Sequence, residues 1–232
     1  MTMNRLDKYL ATAGIGTRSE VKKLIRDGHV KVNGVIAKHA DMKVDEENDE
    51  VLFDDEPVYY SEFVYFMLNK PAGYISATSG FDPNVLDLIG EPFRNLFPVG
   101  RLDKDTEGLL LITNDGQLGH ELLAPRKHVE KEYYVEVDLP LSNEEIARIE
   151  SGITWKDETY KPAKYKKISD TSFTLVITEG RYHEIKRMML AVGSKVTYLK
   201  RLRMKDLVLD EDLKPGEYRY LTDEEIASLK EV

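Results

Sequence analysis

The chain has 232 residues, 41% of them hydrophobic and 32% charged, with no cysteine and a formal net charge of −9. That length buries a full core in one or two domains, and the lack of cysteine excludes disulfides and thiolate metal sites. No run approaches the roughly 20 apolar residues of a membrane span, and the opening Met1-Thr2-Met3-Asn4-Arg5-Leu6-Asp7 has no apolar leader, so a globular, cytoplasmic protein is expected.

Two helices are predicted at the start. Leu6, Tyr9 and Leu10 stand at helical spacing within Asn4 to Ala13, and Gly14-Ile15-Gly16 ends that segment. Thr17 then reads as an N-cap, with Glu20 three residues on completing a capping box. Val21, Leu24 and Ile25 give the second helix an inner face, which leaves Arg18, Lys22, Lys23 and Arg26 facing outward. His29 to Val32 and Val35 to Ala37 read as a hairpin about the Asn33-Gly34 turn, with Lys31 on its first strand. Residues 45–57 hold eight acids and no base. Their mutual repulsion predicts an acidic linker over 45–58, although Val51-Leu52-Phe53 can form a short strand.

From Phe63 onward strands and helices alternate. Val64 to Leu68, Gly108 to Thr113, Glu132 to Val137 and Phe173 to Ile177 are rich in apolar, β-branched and aromatic residues and predict strands. Gln117 to Leu123, Asn143 to Ile149 and Tyr182 to Val192 predict helices. In the last of these, Ile185, Met188, Met189 and Val192 form the inner face, opposite His183, Lys186 and Arg187. In Tyr133-Tyr134 one ring must face the core and the other the opposite side. Charge is uneven along the chain. Residues 1–44 carry a net +5, 161–205 a net +9 and the last 27 residues −6, so two basic blocks are set in an acidic chain and read as nucleic-acid-facing surfaces.

The segment Gly100-Arg101-Leu102-Asp103-Lys104-Asp105-Thr106-Glu107-Gly108 sets an acidic turn before an apolar strand. A carboxylate on such a rim can act as nucleophile, as general base or as one side of an ion pair. The longer string through Gly116 resembles the central motif of pseudouridine synthases. Asn69-Lys70-Pro71-Ala72-Gly73-Tyr74 resembles the first motif of that family, Lys131-Glu132-Tyr133 its Lys-x-Tyr element, and Glu179 through Met189 its third motif. These blocks, with Ala124 to His128 and Pro215 to Arg219, are most similar to the small-subunit rRNA (RsuA) type. The Leu6-Asp7-Lys8-Tyr9-Leu10 opening and the Gly28 to Asn33-Gly34 hairpin resemble the alpha-L RNA-binding fold of the S-four ribosomal type.

The resemblance implies an α+β protein in three parts: an alpha-L (S-four-like) RNA-binding domain over 1–44, the acidic linker over 45–58, and a pseudouridine synthase domain over 59–232 on a mixed, largely antiparallel sheet. It implies isomerisation of uridine 516 of 16S rRNA on an assembling small subunit, by a monomer that needs neither cofactor nor metal. The catalytic set it implies is Asp103, Tyr133 and Lys186. Lys186 stands where many members carry arginine, and therefore makes a single-point contact. Tyr133 stacks on the flipped base, and Arg101 fills the gap that the base leaves or binds its phosphate. Arg18, Lys22, Lys23, Arg26, Lys31, Arg181, His183 and Arg187 supply RNA contacts. Asp105 is given a structural or RNA-positioning part. Two alternatives stay open: the same reaction on 23S rRNA, and a non-catalytic assembly factor.

Overall fold

The computed structural model describes residues 3–231 apart from Glu47, Tyr59, Ser61, Pro92 and Arg94. Its contacts separate two units, one within Met1–Val64 and Gly90–Leu96, the other within Tyr65–Ile89 and Phe97–Val232.

The first unit runs β1 (Met3–Arg5), α1 (Leu6–Thr12), α2 (Arg18–Arg26), β2 (Val30–Val32), β3 (Val35–Ile36), β4 (Lys43–Asp45), β5 (Val51–Phe53) and β6 (Glu56–Pro57). Helix α2 begins where the spacing places it. The Thr17 hydroxyl accepts from the Glu20 N–H at 3.1 Å, and the Glu20 carboxylate accepts from the Thr17 N–H at 2.6 Å. Leu6, Tyr9, Leu10, Val21, Ile25, Val30 and Val44 share one core. Two expectations change here. Asn4 lies in a strand rather than a helix, because β1 pairs antiparallel with β4, 40 residues away. The acidic stretch is no linker: β5 pairs with β2 and β6 with β5, and Val51 is buried. The repulsion among its acids is relieved by partners, since Asp54 holds His29 at 2.7 Å, Asp55 holds Lys31, and Asp49 accepts from Asn33 at 2.8 Å. Glu47 in this stretch, and Tyr59 at the expected domain boundary, lie outside the described residues.

The second unit adds β7 (Tyr65–Lys70), β8 (Phe97–Pro98), β9 (Glu107–Thr113), α3 (Gly116–Leu123), β10 (Lys131–Val137), α4 (Asn143–Ser151), β11 (Ile153–Trp155), β12 (Glu158–Tyr160), β13 (Lys164–Lys167), β14 (Ser172–Ile177), α5 (Glu184–Ala191), β15 (Val196–Met204), β16 (Leu207–Val208), β17 (Tyr218–Tyr220) and α6 (Asp223–Lys230). Its main sheet has the order β13-β14-β10-β15-β9-β7-β17. Among the described residues its neighbouring pairs are antiparallel except β15 with β9, so the sheet is mixed and largely antiparallel. On one face, Met67, Leu109, Leu111 and Met204 pack with Leu118 and Leu122 of α3 and Leu229 of α6. No helix among the described residues is long and apolar enough to cross a membrane.

Helix α5 starts at Glu184 rather than Tyr182, because His183 takes a left-handed backbone with φ of 52°. Ile185, Met188, Met189 and Val192 are buried as their spacing requires.

The parallel junction depends on one glycine. Gly108 pairs with Arg201 and has φ of +98°, and a Cβ there stands 2.2 Å from the Arg201 carbonyl oxygen and 2.8 Å from its nitrogen. Neither backbone atom can retreat without breaking the pairing. Gly108→Ala is expected to lower stability by roughly 3 kcal/mol or more; urea unfolding midpoints of the two proteins measure this, and a loss below about 0.5 kcal/mol means the junction yields easily.

Candidate active site

The acidic turn is held from below by a buried cation. Lys70 ends β7 with no exposed surface, and its ammonium donates to the carbonyls of Pro71 at 3.0 Å, Asp103 at 3.1 Å and Thr106 at 2.7 Å. Burial pulls its pKa down to about 8, against the pull of Asp105, Glu107 and Asp103. Further ties come from the Ser76 hydroxyl, which bridges the N–H and carbonyl of Leu102 at 3.0 Å each, and from the Gly73 N–H on the Lys104 carbonyl at 2.7 Å. Every main-chain segment flanking Asp103 is therefore bonded to another part of the fold.

Helix α5 brings the counter-charge. Lys186 Nζ lies 2.8 Å from Asp103 Oδ2 and 2.6 Å from Asp105 Oδ1, and His183 Nε2 lies 3.4 Å from Asp103 Oδ1. Burial alone would lower the pKa of Lys186, but the two carboxylates outweigh it and raise it above its ordinary value. Burial likewise pushes Asp105 upward, and the Lys186 contact outweighs that and holds its carboxyl below the usual range. The loop before α5 is tied by Glu184, whose carboxylate accepts from the Gly180 and Arg181 N–H groups at 2.6 and 2.7 Å. Burial raises the pKa of Glu184 even so.

Asp103 opens onto a cavity of about 600 Å³, whose lining includes Arg101, Lys131, Tyr133, Tyr182, Lys186 and Arg201. That is within the range of small-ligand sites and large enough for a nucleoside. Strand alternation aims Tyr133 at it: Tyr133 is 6% exposed, whereas Tyr134 turns to the other face and stands edge-on to Tyr198 at 6.0 Å. Burial raises the pKa of the Tyr133 hydroxyl, with the Arg201 guanidinium beside it opposing. Burial, with Arg201 adding repulsion, lowers Lys131 to about 8.

The structure thus brings Asp103, Tyr133, Lys186, Arg101, Arg181 and His183 around one cavity, and it also places the other candidates. Arg181 and Arg187, read as RNA contacts, both bond Glu158, each at 2.9 Å, and Arg181 also donates to the Thr159 carbonyl at 2.8 Å. Their charges are engaged within the protein. Lys31 is paired with Asp55. Arg18, Lys22, Lys23 and Arg26 are exposed on α2 of the first unit, with Lys22 3.9 Å from Asp7 and Arg26 3.9 Å from Asp27. Arg201, Lys131 and Glu184 were not singled out from sequence as cavity groups. Charge in their elements (Lys200 and Arg203 beside Arg201, Glu132 beside Lys131, Lys186 and Arg187 after Glu184) masks them, and only the inward position of each tells it apart.

Residues 64–191 match the family model for RNA pseudouridylate synthase, and residues 4–51 match that of the S4 domain. The chain is 49% identical to an uncharacterized RNA pseudouridine synthase of Bacillus subtilis, with 98% of each chain covered. It is 43% identical to ribosomal small subunit pseudouridine synthase A of Escherichia coli K12, covering 97% of this chain and 99% of the relative. A solved structure titled as a pseudouridylate synthase superposes with a TM-score of 0.70 at 42% identity, over 97% of this chain and 99% of the other.

The cation between two carboxylates has a measurable signature. A carboxyl with depressed pKa stabilises the fold above its ordinary titration range, and that contribution is lost as pH falls through the lowered folded pKa. Lys186→Met is therefore expected to let Asp105 titrate at a higher pH, seen by carboxyl carbon NMR. It should also cost up to about 1 kcal/mol of stability at pH 7, because the exposed Asp105 side chain lets solvent screen the pair. That cost should shrink once the pH falls below the carboxyl range; a pH-independent deficit points instead to poorer packing.

Proposed function

The chain belongs to the RNA pseudouridylate synthase family, and from that we propose that it isomerises a uridine of 16S rRNA, uridine 516, to pseudouridine. The reaction breaks the N1–C1′ bond of the nucleotide, turns the base and forms a C5–C1′ bond; the proton leaving C5 is balanced by one gained at N1. No oxidant and no donated group is required, so the side chains present carry the chemistry. The observation that supports this most directly is the Asp103 carboxylate, fixed on a bonded turn, paired with Lys186 at 2.8 Å and open to the cavity.

In this reading the uridine leaves its stack and enters the cavity. Asp103 starts the cleavage. Lys186 pairs with that carboxylate and holds its orientation, and Asp105 shares the same ammonium and so positions it. Tyr133 offers its ring face to the base, and its hydroxyl, held protonated by burial, is a donor within the cavity. Arg101 at the rim is placed for the gap in the RNA or for a phosphate. Affinity for rRNA resides largely in Arg18, Lys22, Lys23 and Arg26, and the chain works as a monomer in the cytoplasm.

Asp103→Asn keeps the shape of the turn but removes the charge. It is expected to fold, to bind rRNA and to form pseudouridine at no more than roughly a thousandth of the wild-type rate. Pseudouridine mapping on small-subunit particles from cells lacking the protein reads both rate and target. Turnover in Asp103→Asn that disappears only in Asp105→Asn transfers the role to Asp105, and modification found only in 23S rRNA overturns the small-subunit assignment.

Reversing Arg18, Lys22 and Arg26 to glutamate tests the first unit. Each phosphate that the protein then fails to neutralise should flatten the log–log dependence of binding on salt by about 0.7–0.9, while the single-turnover rate at saturating RNA changes much less. If the saturated rate collapses with affinity intact, these bases belong to the chemistry.

A further inference from the structure

The cavity holds a cation that the reaction above does not use. Arg201 lies on β15 directly across from Tyr133 of β10. It is 2% exposed and among the largest fully enclosed side chains of the molecule. Its Nε donates to the Leu109 carbonyl at 2.7 Å, and its guanidinium stands beside the Tyr133 hydroxyl. Its Nη1 lies 4.0 Å from the position of a Cβ on Gly100, which carries none, so the guanidinium lies beneath the turn that leads into Asp103. Its Nη2 is enclosed and has no hydrogen-bond partner among the described residues.

A buried guanidinium N–H without an acceptor is unfavourable, because it has given up water and gained nothing in exchange. Natural folds rarely keep such a group unpaired; water, an ion or a ligand usually completes it. The surroundings define what that ligand must offer. Arg201 already bonds the backbone through Nε, and Lys131, another enclosed cation, has its ammonium on the Val129 carbonyl at 2.9 Å. The open donor therefore requires an oxygen acceptor, and the cavity that Arg201 lines with Asp103 and Tyr133 is the one the reacting nucleotide would enter.

We propose that Arg201 is a positioning residue whose free Nη2–H binds a carbonyl oxygen of the flipped uracil, fixing the ring against Tyr133 and orienting it to Asp103. This rests on the isomerase reading above. The contact gains strength whenever the electron pair of the broken N1–C1′ bond stays on the base, since the carbonyl oxygens then share that charge, and a charged donor in a dry site suits them.

Single-turnover rates on target RNA carrying uridine, 2-thiouridine or 4-thiouridine at the reacting position test it, because sulfur accepts hydrogen bonds poorly. Wild-type conversion of the uridine RNA establishes the reaction independently. One of the two thio substrates is then expected to react roughly tenfold to a hundredfold more slowly with wild type. With Arg201→Met, uridine should slow by a similar factor and that thio penalty should vanish. Arg201→Lys, which keeps the charge but moves the donor, should retain part of the rate. Two results overturn the proposal: a wild-type rate indifferent to both thio substitutions, which needs no variant, or a thio penalty unchanged in Arg201→Met or Arg201→Lys, which makes Arg201 purely structural.

Discussion

The buried ammonium of Lys70 is the constraint on which the site depends. Carbonyls from both sides of the acidic turn converge on it, from Pro71 before the turn to Asp103 and Thr106 within it. Without a cation at their centre these carbonyls would face one another unpaired, which opposes closure of the turn. With the cation present, the reactive carboxylate is fixed to a strand whose six residues are all buried. The Asn-Lys-Pro element of the sequence thus acts on chemistry by holding main chain; Lys70 reaches the turn's backbone and leaves the carboxylates to Lys186.

A net charge of −9 conceals how the bases divide. Many are paired inside the protein: Arg203 with Glu130 and Glu132, Arg219 with Asp210 and Glu225, and Arg181 and Arg187 together with Glu158. Local charge sums over sequence cannot separate these from solvent-facing bases, because Glu158 lies more than 20 residues before the arginines that it binds. The basic surplus over residues 161–205 is therefore largely absorbed by folding. The bases of α2 differ: most of that helix's outward positions are basic, and among the described residues none of them bonds closer than 3.9 Å to an acid.

Much of the second unit was legible because its signals are local. Alternation in Lys131–Val137 set the two tyrosines on opposite faces and the Lys-x-Tyr resemblance picked Tyr133 for the site, the apolar spacing of α5 put Lys186 on the face opposite Met188 and Met189, and in the first unit the capping box at Thr17 likewise started α2 where the residues say. Signals that need a distant partner were not legible. The strand at Met3–Arg5 exists because Lys43–Asp45 lies beside it, and the acidic stretch folds because His29, Lys31 and Asn33 meet its carboxylates. Arg201 passed unnoticed for the same reason: it stands among Lys200 and Arg203 in a strand, Val196–Met204, that the sequence does not mark, and only the cross-strand position of Tyr133 shows that it faces inward.

The parallel pairing of β15 with β9 is the seam between two halves of the sheet, β13-β14-β10-β15 on one side and β9-β7-β17 on the other. The carboxylate belongs to the turn that opens β9, whereas its counter-ion and the enclosed guanidinium arrive more than 80 residues later in the chain. During synthesis β7, the acidic turn and β9 emerge before the helix and strand that carry Lys186 and Arg201, and without those cations the turn lacks its counter-charge. Closure of the seam joins the two sets, so reactivity is acquired late and all at once.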